Sequence, residues 1–148
     1  MTLRLLIGLI GALLLLPGCE GIPKDPDGTL DRIKAERRYR VGLIAPGTDA
    51  GKQRLFLHRV SAAANAQPLL EHGASEPLLT KLEEGKLDLV IGELAPNSPW
   101  AKRVTILPPL GERVSKEGHV HIVGVAKNGE NGWIGLLHRE AEAVAAQP

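Results

Sequence analysis

Apolar residues recur along the chain with two periods, and the alternation of those periods predicts the elements. Leu30 and Ile33 share one face behind Thr29, an N-cap residue, and predict a short helix to about Arg37. Residues 39–45, YRVGLIA, form a compact apolar run with β-branched members and predict a first strand. Leu55, Phe56, Val60 and Ala63 then follow at helical spacing within residues 52–66. PLLEHG, residues 68–73, predicts a short second strand. Leu78, Leu79 and Leu82 form the inward face of a compact helix closed by Gly85.

LDLVIGEL, residues 87–94, is apolar without alternation, as in a strand covered on both faces. RVTILPPL, residues 103–110, predicts a fourth strand ended by Pro108 and Pro109. Residues 111–118 are polar and turn-like. HVHIVGVA, residues 119–126, predicts a fifth strand, and Asn131 opens a last helix with Trp133, Leu136, Leu137, Ala141 and Val144 inward. After the first helix the order is β-α-β-α-β-β-β-α. The fold class expected is α/β, a mostly parallel sheet with helices on both faces, in one domain over residues 29–148.

Residues 1–18 stand apart from this pattern. A short segment with one positive charge, Arg4, precedes an apolar run from Leu5 to Leu16 of signal-peptide length. The run ends in Leu16-Pro17-Gly18-Cys19, which resembles the bacterial lipobox, with Pro17 departing from its usual small or β-branched residue. Cys19 is the single cysteine, so no disulfide framework exists. The expectation is cleavage before Cys19 and acylation of its thiol. The product is a periplasmic protein touching membrane only through its lipid anchor. Glu20 in place of Asp after the cysteine favours the outer membrane over the inner one in a Gram-negative cell. Residues 19–28, with EGIPKDPDG, read as a tether.

Charge and composition narrow the function classes. The chain has 18 Lys and Arg against 17 Asp and Glu, and loss of Arg4 with the leader leaves the two equal. A balanced charge gives no electrostatic reason for a nucleic-acid partner. Phe56, Tyr39, Trp100 and Trp133 are the only aromatic residues, too few for stacking platforms. GTDAGKQ, residues 47–53, follows a strand, yet it is one residue short of a phosphate loop and has Gln53 where the Mg²⁺-binding hydroxyl belongs. His119 and His121 alternate on one strand face, but two ligands fall short of what zinc needs. GENG, residues 129–132, is read as a turn before a helix rather than an RNA clamp. No carboxylates pair as an acid/base couple and no nucleophile motif is present, so no enzyme and no cofactor is expected.

Three segments resemble the periplasmic solute-binding proteins of ABC uptake systems, of the polar amino-acid type. GTLDRIKAERRYRVGLIAPG is similar to that family's mature N-terminus. LLTKLEEGKLDLVIGELAPNSPWAKRVTILPPL is similar to its most characteristic segment, and VGVAKNGENGWIGLLHREAEAV resembles its returning strand and C-terminal helix. The resemblance implies one lobe of a two-lobed fold, with a small polar solute bound at loops beyond strand ends and an ABC permease as partner. Two departures stand out. Only eight residues separate Leu110 from His119, where the family inserts its second lobe. The ligand residues also differ: Asn97 stands for a Thr and Trp100 for the Arg that grips the solute carboxylate, and Arg103 is three residues late and expected to point elsewhere.

In their place the loop after the third strand offers Glu93, Asn97 and Trp100, with Asp49 from the neighbouring loop. An acidic pair beside an indole face suits a cationic ligand by charge pairing and cation–π attraction. The competing expectation is that Trp100 is a hydrophobic plug and the chain a degenerate lobe. Such a lobe would dock onto a protein, a second lobe or its own copy in the cell envelope.

Overall fold

The computed structural model describes residues 25–44, 50–95, 97–115 and 118–147. The leader, Cys19 and the Asp49 loop lie outside them. The described elements are α1 (Thr29–Glu36), β1 (Arg38–Ile44), α2 (Ala50–Ala64), β2 (Gln67–Gly73) and α3 (Ser75–Glu83). They continue with β3 (Leu89–Leu94), a 3₁₀ turn (Pro99–Lys102), β4 (Val104–Ile106), β5 (Gly111–Ser115), β6 (Gly118–Lys127) and α4 (Asn131–Ala145).

One sheet holds the strands in the order β2-β1-β3-β6-β4, with β5 also paired to β6. β1 is parallel to both β2 and β3, whereas β6 is antiparallel to β3, β4 and β5. Five strands therefore run one way and β6 alone runs against them, which is the mostly parallel sheet that the sequence predicts.

Pleating sends alternate residues of each strand to opposite faces, and each face has its own core. On one face Tyr39, Val41, Leu89 and Ile91 pack with Ile33 of α1, Phe56, Val60 and Ala64 of α2, and Trp133, Leu137, Ala141 and Val144 of α4. On the other, Leu78, Leu79 and Leu82 of α3 cover Val90, Leu94, Val123 and Val125, together with Trp100 and Val104. Each of those three leucines contributes about 2 kcal/mol by leaving water. Close packing of β1 on β3 needs Gly92, where a Cβ would stand 2.5 Å from Cβ of Ile44.

Two elements differ from the sequence reading. Residues 111–118, read as a turn, supply β5 and a hairpin into β6. β4 pairs with Val125 to Lys127 and β5 with Gly118 to Ile122. Between them the Leu107 and Leu110 amides still donate to the Gly124 and Ile122 carbonyls, at 2.9 and 2.8 Å. β4 and β5 are thus one edge of the sheet, interrupted at Pro108 and Pro109, which have no N–H to offer. Where a second lobe would be inserted, the chain instead turns back as this hairpin.

The second difference lies at the start of α1. Thr29 is its first residue rather than its cap; Gly28 occupies the cap position with φ 64° and makes no side-chain cap bond. The caps come from far away and are reciprocal. Glu130, 1 % exposed, accepts the Asp27 and Thr29 amides at 2.9 and 3.1 Å. Asp25 in return accepts the Gly132 and Trp133 amides of α4 at 2.7 and 3.2 Å, and the Leu30 amide at 3.0 Å. Two carboxylates so satisfy the open amides of two helices and oppose the helix dipoles. The folded part accordingly begins by Asp25, inside the stretch read as tether.

At the end of the sheet where β3 begins, Asp88 is buried and takes Nη2 of both Arg32 and Arg40, at 2.5 and 2.7 Å. It also accepts the Arg40 backbone N–H at 2.8 Å. This carboxylate, the Asp that leads the third strand in sequence, locks α1, β1 and β3 together; its hydrogen bonds hold the Arg40 guanidinium above its ordinary pKa.

Candidate functional site

The third strand ends at Leu94, and the chain then turns through Asn97 and Ser98 into the 3₁₀ turn Pro99–Lys102. Ser98 caps that turn by accepting the Trp100 amide at 3.4 Å, and Pro99 stands at its first position, where no N–H is needed. Residues three apart in such a turn eclipse one another. Trp100 and Arg103 meet for this reason, and the guanidinium carbon lies 4.4 Å over the indole centroid.

Trp100 is 7 % exposed and forms part of the α3-side core. Its indole N–H donates to Glu76 of α3 at 3.0 Å. The Arg103 side chain, about half exposed, is gripped in turn by Glu83 of the same helix, with Nε 3.0 Å from one oxygen and Nη2 on the other. That forked pair raises the guanidinium pKa, and Glu76 adds to the effect from farther off. Glu76, Pro99, Trp100 and Arg103 line a shallow surface depression of about 210 Å³.

The predicted residues are therefore only partly brought together. Asn97 is exposed at the turn that leads to Trp100. Glu93 follows Leu89 and Ile91 in the pleat and faces the α2 side, whereas Trp100 packs on the α3 side. The carboxylates beside the indole are Glu76 and Glu83, 24 and 20 residues from their partners. Arg103, expected to point away, is folded back by the turn. Its spacing of three from Trp100 was the one signal in sequence. Nothing local indicated either glutamate.

On the opposite sheet edge, Glu112 contacts His119 Nδ1 and lies 3.8 Å from His121 Nε2. Among the described residues no group of three or more His, Cys, Asp or Glu is arranged to hold a metal ion. Nor is any described helix long and apolar enough to cross a membrane.

No protein-family model matches the sequence. No curated protein matches it either. Solved structures that resemble it include solute-binding proteins. A point mutant of the arginine-bound form of domain 1 from TmArgBP superposes with a TM-score of 0.68 at 12 % identity, over 80 % of this chain and 99 % of that one. An ancestral cationic amino acid solute-binding protein gives 0.63 at 9 % identity, over 78 % and 93 %. The VFT2 domain of BvgS from Bordetella pertussis gives 0.62 at 8 % identity, over 80 % and 93 %. At such identities the likeness is one of fold. The chain has the fold of a single lobe of a periplasmic solute-binding protein.

Proposed function

We propose that this chain is an exported lipoprotein, anchored through Cys19, whose lobe binds or presents a small polar solute of cationic character. The solute sits on the α3 side of the segment that follows β3, against the indole of Trp100 and beside Asn97. Its carboxylates are Glu76 and Glu83, in place of Glu93, which faces the α2 side, and of Asp49, which lies outside the described residues. The observation that carries this reading is the constellation around Trp100. An indole face and the Glu83 carboxylate already hold a guanidinium, that of Arg103, while Glu76 takes the indole N–H, in the chemistry a cationic solute needs. Arg103 is exposed and held from one side, so a solute cation replaces it by exchange rather than by opening the core. The fold neighbours add support, because one is an arginine-bound domain and another is a cationic amino acid binding protein. No catalytic step is part of this reading.

The test is a titration of Trp fluorescence with arginine, lysine and polyamines, on the chain from Glu20 and on its Arg103→Ala and Trp100→Phe variants. Saturable change is expected, larger in Arg103→Ala and absent in Trp100→Phe. Anchoring is tested separately by incorporation of labelled palmitate, lost in Cys19→Ser.

A second reading, an interaction module, draws on a different observation. Among the described residues the large exposed apolar side chains are Leu69, Leu70 and Val114. Leu69 and Leu70 lie together on β2, and Val114 lies apart from them on the β5 hairpin.

A further inference from the structure

We infer that the β2 edge is a homodimer interface, at which a second copy of this chain adds its own β2 antiparallel and centred on Leu70. The inference deepens the interaction-module reading and holds whether or not the Trp100 face takes a solute.

Among the described residues β2 borders the sheet and pairs only with β1. Its Leu69 and Leu70 are 50 % and 49 % exposed and point to opposite faces. An edge with apolar residues on both faces and free backbone groups invites another strand. The far edge of the sheet is guarded differently, by a three-residue β4 and the break at Pro108 and Pro109. β2 has one proline, Pro68, near its start.

The backbone alternation selects the partner. The Gln67 amide donates to the Arg37 carbonyl at 2.9 Å, so Gln67, Leu69, Glu71 and Gly73 bond toward β1. Pro68, Leu70 and His72 then turn their backbone groups outward. In a two-fold pairing centred on Leu70, each Leu70 amide meets the Leu70 carbonyl of the second copy. Each His72 amide meets the Pro68 carbonyl of the second copy. Pro68 has no N–H, so its place opposite His72 strands no donor. The strand is self-complementary, as an isologous interface requires.

Charge excludes one competing register. A pairing centred on Glu71 would set two carboxylates directly opposite each other, which is destabilising. Centred on Leu70, each Glu71 lies opposite Leu69 of the second copy and keeps its own Lys81, 2.8 Å away. The two Leu70 side chains then cover each other on the α2 side. Each His72 lies over a groove of about 660 Å³ beside Pro68, walled by Leu57, His58, Ala62 and Asn65.

The experiment is sedimentation velocity over a concentration series on the chain from Glu20, which retains every element described above. Wild type is expected to reach twice the monomer mass. Leu70→Lys, at a half-exposed site that leaves the core intact, raises the dissociation constant at least about tenfold. Val114→Lys, a more exposed apolar residue elsewhere, leaves it unchanged. Leu70→Cys, the sole cysteine once Cys19 is absent, cross-links under mild oxidant, because Cα atoms of a hydrogen-bonded antiparallel pair stand about 5.5 Å apart. A protein that stays monomeric throughout the series overturns the inference. So does a dimer that Leu70→Lys leaves as tight as before, or one that Leu70→Cys does not cross-link.

Discussion

The guanidinium of Arg103 lies 4.4 Å over the ring of Trp100, so the indole face that a solute would use is already engaged by the chain itself. Glu83 holds the arginine and Glu76 the indole N–H. Removal of Arg103 is expected to uncover Trp100 without unfolding the domain, because the side chain is about half exposed. Acrylamide quenching measures this directly. Arg103→Ala should quench more steeply than wild type, and unchanged quenching would mean that the arginine does not cover the ring in solution. Trp133, 1 % exposed, supplies the constant background.

Asp88 carries more of the stability than its single position suggests. Two guanidinium groups and one backbone amide converge on it, and its side chain is 2 % exposed. Asp88→Ala leaves those donors without their acceptor and is expected to cost about 3 kcal/mol. Arg32→Ala should cost less, about 1 kcal/mol, since Arg40 still pairs with the carboxylate. Urea unfolding of the two variants checks the order; equal losses would contradict it.

The reciprocal caps predict a local effect as well as a global one. Glu130→Ala strips the Asp27 and Thr29 amides of their acceptor and should cost about 2 kcal/mol. Hydrogen exchange at those two amides is expected to speed up more than exchange in β3. Asp25→Ala should release the first amides of α4 in the same way. Because both changes loosen one joint, their combined cost should fall short of the sum.

Tyr39 predicts an alkaline limit. It is the only tyrosine, lies fully buried against Trp133, and bonds the Leu57 carbonyl and Ser61 hydroxyl. Burial raises its pKa above the ordinary 10.0, and the Ser61 bond opposes that only in part. The sign follows from linkage: the unfolded phenol ionises first. The stability contributed by the neutral ring is complete below pH 10 and is lost as pH rises toward the folded pKa. Absorbance at 295 nm should therefore rise together with unfolding. Tyr39→Phe should lose about 1 kcal/mol at neutral pH and show a shallower alkaline decline. Ionisation near pH 10 in protein that remains folded would contradict this.

The fold was legible where one residue period ran through a whole element. The unbroken apolar run of β3 and the leucines of α3 are examples. β5 was not, because GERVS has a single apolar side chain, the exposed Val114, and so carries no apolar alternation. The caps of α1 and α4 come from residues about a hundred positions apart, and no local rule reaches them. The site failed for a related reason. Sequence adjacency suggested Glu93 as the acid beside Trp100. The pleat turns Glu93 to the other face, and tertiary packing brings Glu76 and Glu83 from α3 instead.

Solute capture at the Trp100 face is most directly tested by titrating the chain from Glu20 with arginine, comparing Trp fluorescence of wild type, Arg103→Ala and Trp100→Phe. The account predicts a saturable change that strengthens when Arg103 is removed and vanishes with Trp100→Phe, as expected if solute and side chain compete for one ring. A folded Arg103→Ala protein whose fluorescence stays flat with arginine, lysine and polyamines would contradict it, leaving the Trp100 face a closed part of the lobe.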